Sequence, residues 1–145
     1  MNQEIKPTYV TFEQAQWLKD KGFECESDYN QWILSKDKDD DSKKFICHSD
    51  ELESYTYIDE DTEHNVYHCL SLPEQWQVIE WLRVNHDIHV TYDIGLTGCY
   101  GLIQYRHSKG SLYLSKWVNE QENPFSSPQE AYSAAFDYIK DNNLI

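Results

Sequence analysis

The sequence predicts an α+β protein of one domain, an antiparallel sheet packed with three helices. Three observations lead there. Three segments open with helix-capping residues and continue with helical apolar spacing. A stretch of alternating residues after position 87 gives three strands joined by short turns. The chain has 145 residues, 14% of them aromatic, enough to bury a real core and too aromatic for disorder over most of its length.

The elements follow in order. Thr11-Phe12-Glu13-Gln14 is a capping box, with Thr at the N-cap and Gln three residues on. It starts a helix over about 12–21 whose apolar stripe is Phe12, Ala15 and Leu18, with Trp17 flanking. Gly22 ends it and Phe23 folds back on the last turn. Tyr29–Leu34 and Phe45–His48 are two short aromatic or β-branched strands. Between them, about 35–44, SKDKDDDSKK is a polar, mobile loop with nothing to bury. Tyr55, Tyr57 and Ile58 suggest a further short strand, and Val66–Leu70 another.

The central helix is written in Leu72–Asn85, LPEQWQVIEWLRVN. Ser71 or Leu72 serves as N-cap, and Pro73 falls in the first turn, where its missing N–H costs nothing. Leu72, Trp76, Ile79 and Leu82 form one apolar face and Val78 and Trp81 an adjoining one. The two tryptophans are expected to pack inward. Asn85-His86-Asp87 stops the helix, because Asn and Asp tolerate the left-handed conformation.

Ile88, Val90 and Tyr92 then alternate with polar residues as a half-buried strand. Gly95–Gly98 is a turn, Cys99–Arg106 a second strand, Ser108–Ser111 a hairpin connection and Leu112–Val118 a third strand, making a meander. Ser127-Pro128-Gln129-Glu130 is the strongest cap of the chain. Its helix covers about 128–141 and packs through Ala131, Ala134, Ala135, Tyr138 and Ile139.

The formal charge is −14, and it is unevenly placed. Residues 1–72 hold 17 acids against 7 bases, leaving −10; residues 73–145 hold 9 against 5, leaving −4. Direct nucleic-acid or membrane-surface binding needs clustered Lys and Arg and is disfavoured. A basic or nucleic-acid-binding protein partner is favoured. No run is long and apolar enough for a membrane span, and the first residues lack a signal-peptide pattern, so a cytoplasmic location is expected. Cys25, Cys47, Cys69 and Cys99 are then expected to be reduced, and none forms a C-x-x-C pair.

Motifs that carry chemistry are few. Cys47-His48 and His68-Cys69 hold zinc-ligand types, but neighbours on a strand face opposite ways, so each pair offers one ligand per face. Asp37-x-Asp39-x-Asp41 and Asp59-x-Asp61-x-Glu63 resemble the start of calcium loops, yet the glycine at the sixth position and the glutamate at the twelfth are missing. No metal and no cofactor are expected. His86 or His89 with Asp87 or Asp93 suggests a histidine–carboxylate pair, but no nucleophile motif and no phosphate loop accompany it, so a non-enzyme is expected. The feature singled out for function is the acidic, tyrosine-studded run of Asp50, Glu51, Glu53, Tyr55, Tyr57, Asp59, Glu60, Asp61 and Glu63. Such a run can imitate a phosphate track and occupy a basic groove of another protein.

Three segments, TYVTFEQAQWLKDKGF, PEQWQVIEWLRVNHDI and SPQEAYSAAFDYIKDNNLI, resemble a family of short, acidic, uncharacterised proteins encoded by bacteriophages and prophages. The resemblance implies an accessory protein of an infected bacterial cell and supplies no site residues. By analogy it implies an anti-defence, anti-CRISPR-like inhibitor or modulator of a host protein such as a defence nuclease. Two alternatives stand beside it. One is a structural or assembly component. The other is a small-ligand or nucleotide sponge using a pocket between the central helix and the meander, with Trp81, Tyr92 and Tyr105 turned inward. The negative charge counts against phosphorylated ligands unless Arg83, Arg106 and Lys109 converge.

Overall fold

The computed structural model describes residues 7–24, 31–35, 45–48, 68–118 and 123–145. The elements are α1 (Phe12–Asp20), β1 (Gln31–Ser35), β2 (Phe45–His48), β3 (His68–Leu72), α2 (Gln75–His86), β4 (His89–Ile94), β5 (Cys99–Tyr105), β6 (Leu114–Val118) and α3 (Pro128–Asp141). Three helices with antiparallel strands make the α+β class that the sequence predicts. The strands form two three-stranded sheets, β2-β1-β3 and β4-β5-β6. The chain divides into two compact units, Val10–Pro73 and a second made of Met1–Tyr9 with Glu74–Ile145.

In the first unit, α1 begins at the predicted capping box. Gln14 N–H donates to the Thr11 hydroxyl at 3.2 Å, and Thr11 N–H donates to the Gln14 side-chain oxygen at 3.0 Å. That exchange lets Gln14 be buried alongside Ala15 and Leu18, while Phe12 is only half-buried. At the other end Gly22 takes φ +85°. Phe23 N–H then reaches the Leu18 carbonyl at 2.9 Å and Gly22 N–H that of Lys19 at 3.0 Å, the two bonds of a Schellman motif. In the sheet, Trp32 lies opposite Cys47 on one side and Ser71 on the other, and Leu34 opposite Phe45 and Cys69. β3 extends to Leu72, two residues beyond the predicted end.

In the second unit, α2 starts later than its sequence suggests. Glu74 is the N-cap, and Pro73 precedes the helix instead of entering its first turn. The cause is non-local: Glu74 is extended and bridges Tyr9, and Gln75 N–H donates to the Thr8 carbonyl at 2.9 Å. The buried stripe is also rotated. Gln75, Val78 and Leu82 point inward, whereas Ile79 and Trp81 are half-buried. Trp76, expected in the core, is 62% exposed, and its indole N–H donates to the Glu74 carboxylate. A polar residue takes the inner position because the Gln75 amide donates to the Gln129 carbonyl at 3.0 Å, 54 residues away.

β4, β5 and β6 form the predicted meander, with Val90 opposite Ile103 and Gly101 opposite Val118. β6 begins at Leu114, and Leu112 is exposed. α3 covers the face that carries Val90, Gly101, Ile103 and Val118, through Ala131, Ala135, Phe136 and Ile139. Phe136, absent from the predicted packing face, is fully buried, whereas Ala134 and Tyr138 are only half-buried. A Cβ on Gly101 would lie 2.8 Å from the Ala131 carbonyl oxygen, so this glycine sets how closely helix and sheet approach. Ser127 caps α3 by accepting from Glu130 N–H at 3.3 Å.

Candidate functional site

The sharp turn from α2 into β4 falls on Asp87. Its φ of 55° is left-handed, and Ile88 N–H returns to the Leu82 carbonyl at 3.2 Å. An aspartate tolerates this conformation better than a bulky residue. The turn also leaves its carboxylate beside the β5–β6 connection. One oxygen accepts from Arg106 Nε at 2.5 Å, and the other accepts from the Tyr113 hydroxyl at 2.5 Å. His89 Nε2 lies 3.5 Å from that second oxygen. The Arg106 guanidinium carbon sits 4.9 Å from the centre of the Tyr113 ring, a cation–π contact, and His89 meets Tyr113 edge-on at 5.4 Å. The Tyr113 hydrogen bond, joined by Arg106 and His89, holds the Asp87 carboxyl below the ordinary carboxylate range. The same hydrogen bond pushes the Tyr113 phenol up.

A cleft of about 590 Å³ opens beside this cluster. Its walls are the last turn of α2 and residues 106–109 of the hairpin connection. Arg83, Arg106 and Lys109 all line it. They are three of the five bases in residues 73–145, and with Asp87 the lining residues carry a formal +2 in a protein of −14. Asn85, Ser108, His86 and His107 complete the polar lining, and the two histidines are each in edge contact with an aromatic ring: Trp81 at 4.5 Å and Tyr105 at 5.7 Å. The three bases differ in what they have left to give. Arg83 is held by Glu80 through Nε at 2.9 Å and Nη2 at 2.6 Å, which lowers the Glu80 carboxyl's pKa and raises that of the guanidinium. Arg106 spends Nε on Asp87, leaving both terminal nitrogens, and a fork fixed at its stem is suited to an oxyanion. Lys109 has no carboxylate within ion-pair distance among the described residues.

A smaller hollow of about 270 Å³ is lined by His89, Gln104 and Tyr113. Its wall Tyr113 is in contact with the cleft's Arg106, whose guanidinium lies over the ring.

The predicted residues fare unequally. The acidic run, Asp50, Glu51, Glu53, Tyr55, Tyr57, Asp59, Glu60, Asp61 and Glu63, lies outside the described residues, as do the loop at 36–44, Cys25 and both calcium-like triplets. Cys47 and Cys69 flank β1 on opposite sides. Among the described residues no group of three or more His, Cys, Asp or Glu is placed to hold a metal ion. Cys99 is buried and free. Of the histidine–carboxylate pairings, His89 with Asp87 forms, whereas Asp93 accepts from Ile94 N–H at 2.9 Å. Of the aromatic markers, Tyr92 packs edge-on against Tyr132, Trp81 against His86 and Tyr105 against His107. The convergence of Arg83, Arg106 and Lys109 was posed by the sequence only as a condition, and the chain meets it. Tyr113 and Gln104 carry no signal in the sequence: strand register sets Gln104 opposite His89, and the β5–β6 connection brings Tyr113 to Asp87. No helix among the described residues is long and apolar enough to cross a membrane. Compared with protein-family models, with curated proteins and with solved structures, the chain finds no match in any of the three.

Proposed function

We propose that the chain is a non-enzymatic binding protein that holds a small phosphate-bearing ligand in the cleft at the end of α2. One observation carries this reading: three of the five bases of residues 73–145 meet at one cleft in a strongly acidic protein. Bases scattered for solubility have no reason to gather there, and Arg106 is held ready by Asp87 before any ligand arrives. Calorimetric titration with inorganic phosphate tests it. The expected result is saturable binding to one site, weakened about tenfold or more by Arg106→Ala and by Lys109→Ala, the scale of a lost charge-assisted hydrogen bond. Absent binding, or binding indifferent to both substitutions, refutes the reading.

A second reading rests on a different observation, the −10 held by residues 1–72. It is an accessory inhibitor or modulator that docks on a basic host protein through the run Asp50–Glu63, in keeping with the resemblance to phage-encoded proteins. Capture from bacterial lysate, with wild type against a variant neutralised at Asp59, Glu60, Asp61 and Glu63, tests it. Identical captures by the two proteins sink that reading.

A further inference from the structure

We infer that the ligand of the cleft is a nucleoside 5′-monophosphate, its phosphate on Arg106 and Lys109 and its base in the adjoining hollow of His89, Gln104 and Tyr113. The inference rests on the phosphate-binding reading above and narrows it to one class of ligand.

The argument starts from the second hollow. Its walls are an imidazole, a phenol ring and a primary amide, with no aliphatic side chain among them. Two flat rings set at 80° to one another offer stacking and edge surfaces. Gln104 lies on the same strand face as His89, its pairing partner across the ladder. Its Nε2 is 3.4 Å from the Ser115 hydroxyl, which leaves the carbonyl oxygen and a second N–H for the edge of a base. A planar ligand with both donors and acceptors on its rim suits these walls better than an alkyl chain.

The geometry also sets the spacing. Arg106 lines the cleft, and its guanidinium carbon lies 4.9 Å from the centre of the Tyr113 ring, which lines the hollow. One stacked arginine–tyrosine pair therefore separates the anion site from the ring site. A phosphate and a flat polar ring joined by a single sugar span such a gap. Asp87 lies at the join, but Arg106 and Tyr113 engage one oxygen each, so its charge is compensated where the phosphate would come.

Charge sets the number of phosphates. The cleft lining is formally +2, and Arg83 already shares its charge with Glu80. With Glu80 counted the net charge there is about +1, enough to draw one phosphate and not a chain of them. A triphosphate would add charge that the cleft has no further base to meet, within a protein of −14.

The test compares ribose 5-phosphate with the 5′-monophosphates of adenosine, guanosine, cytidine and uridine by calorimetry on the full chain. At least one nucleotide is expected to bind about tenfold more tightly than ribose 5-phosphate, the effect of one stacked base. Gln104→Leu, with melting temperature confirming that the variant is folded, is expected to bring the nucleotides down to the affinity that the same variant shows for ribose 5-phosphate. Equal affinity for all five ligands overturns the inference while the phosphate-binding reading stands. No binding of any of the five, nor of inorganic phosphate, overturns both.

Discussion

The C-terminal ends of α2 and α3 do the same backbone work with opposite chemical results. Each ends on a left-handed residue, Asp87 at φ 55° and Asn143 at φ 50°. At α3, Asn143 N–H donates to the Lys140 carbonyl and Leu144 N–H to that of Ile139, a closed Schellman turn. The base there, Lys140, has Asp137 at 3.7 Å and Asp141 at 3.8 Å, so acids outnumber it. At α2 the left-handed residue is itself an acid, and bases outnumber it. Arg83 precedes it, and Arg106 and Lys109 arrive from the β5–β6 connection. The difference teaches that a helix end becomes a binding place through the balance of charge brought to it by neighbouring strands, not through its turn.

The largest expected effect tests the frame that both ends share. Phe136→Ala removes a fully buried ring of α3 and is expected to cost about 3–5 kcal/mol in urea unfolding. A loss below about 1 kcal/mol would mean that α3 does not anchor the meander.

The next effect separates the two ends. Asn143→Ala removes the short polar side chain that makes the left-handed region tolerable and is expected to cost about 1 kcal/mol, recovered by Asn143→Gly. Asp87→Ala loses the conformation and the hold on Arg106 and Tyr113 together, so it destabilises more than Asn143→Ala, and Asp87→Gly recovers only the backbone part. If the glycine variants behave alike at both ends, the Asp87 cluster adds nothing.

A third test uses pH. The Asp87 carboxyl is held low in the folded protein, first by Tyr113 and then by Arg106 and His89. Its stabilisation is complete above the ordinary carboxylate value of about 4 and fades as pH falls through the lower folded value. The stability difference between wild type and Asp87→Asn is therefore expected to be constant near neutrality and to close in acid. In the same variant, tyrosine NMR should show the Tyr113 phenol, now held high by Asp87, titrating lower. A gap that persists through acid would exclude the carboxylate as its source.

The smallest effect concerns the other end of α2. Trp76 is 62% exposed, so Trp76→Ala is expected to shift stability by no more than about 0.5 kcal/mol. A larger loss would show that the indole packs inward, as its spacing in the sequence suggests.

That spacing shows what a sequence can and cannot carry. The caps at Thr11 and Ser127 were legible because every group involved lies within four residues. The meander was legible from alternation and turn glycines. The rotation of α2 was not, because the helix has apolar residues around a wide arc. Its inward phase is chosen by an amide of Gln75 that answers a carbonyl at Gln129. The site was half legible. Arg83, Arg106, Lys109 and Asp87 could be named from charge and turn chemistry. Tyr113 joins them through pairing of β5 with β6, a fact of register that no short stretch contains.

The bridge between Tyr9 and Glu74 has a consequence for the chain's architecture. Val10 N–H donates to the Pro73 carbonyl at 3.1 Å, one step beyond that bridge. Each unit thus carries its own closing pair, Tyr9 with Glu74 in one and Val10 with Pro73 in the other. A short turn linking Tyr9 directly to Glu74 would preserve the bridge, and would yield a miniature carrying the basic cleft without the most acidic portion of the chain.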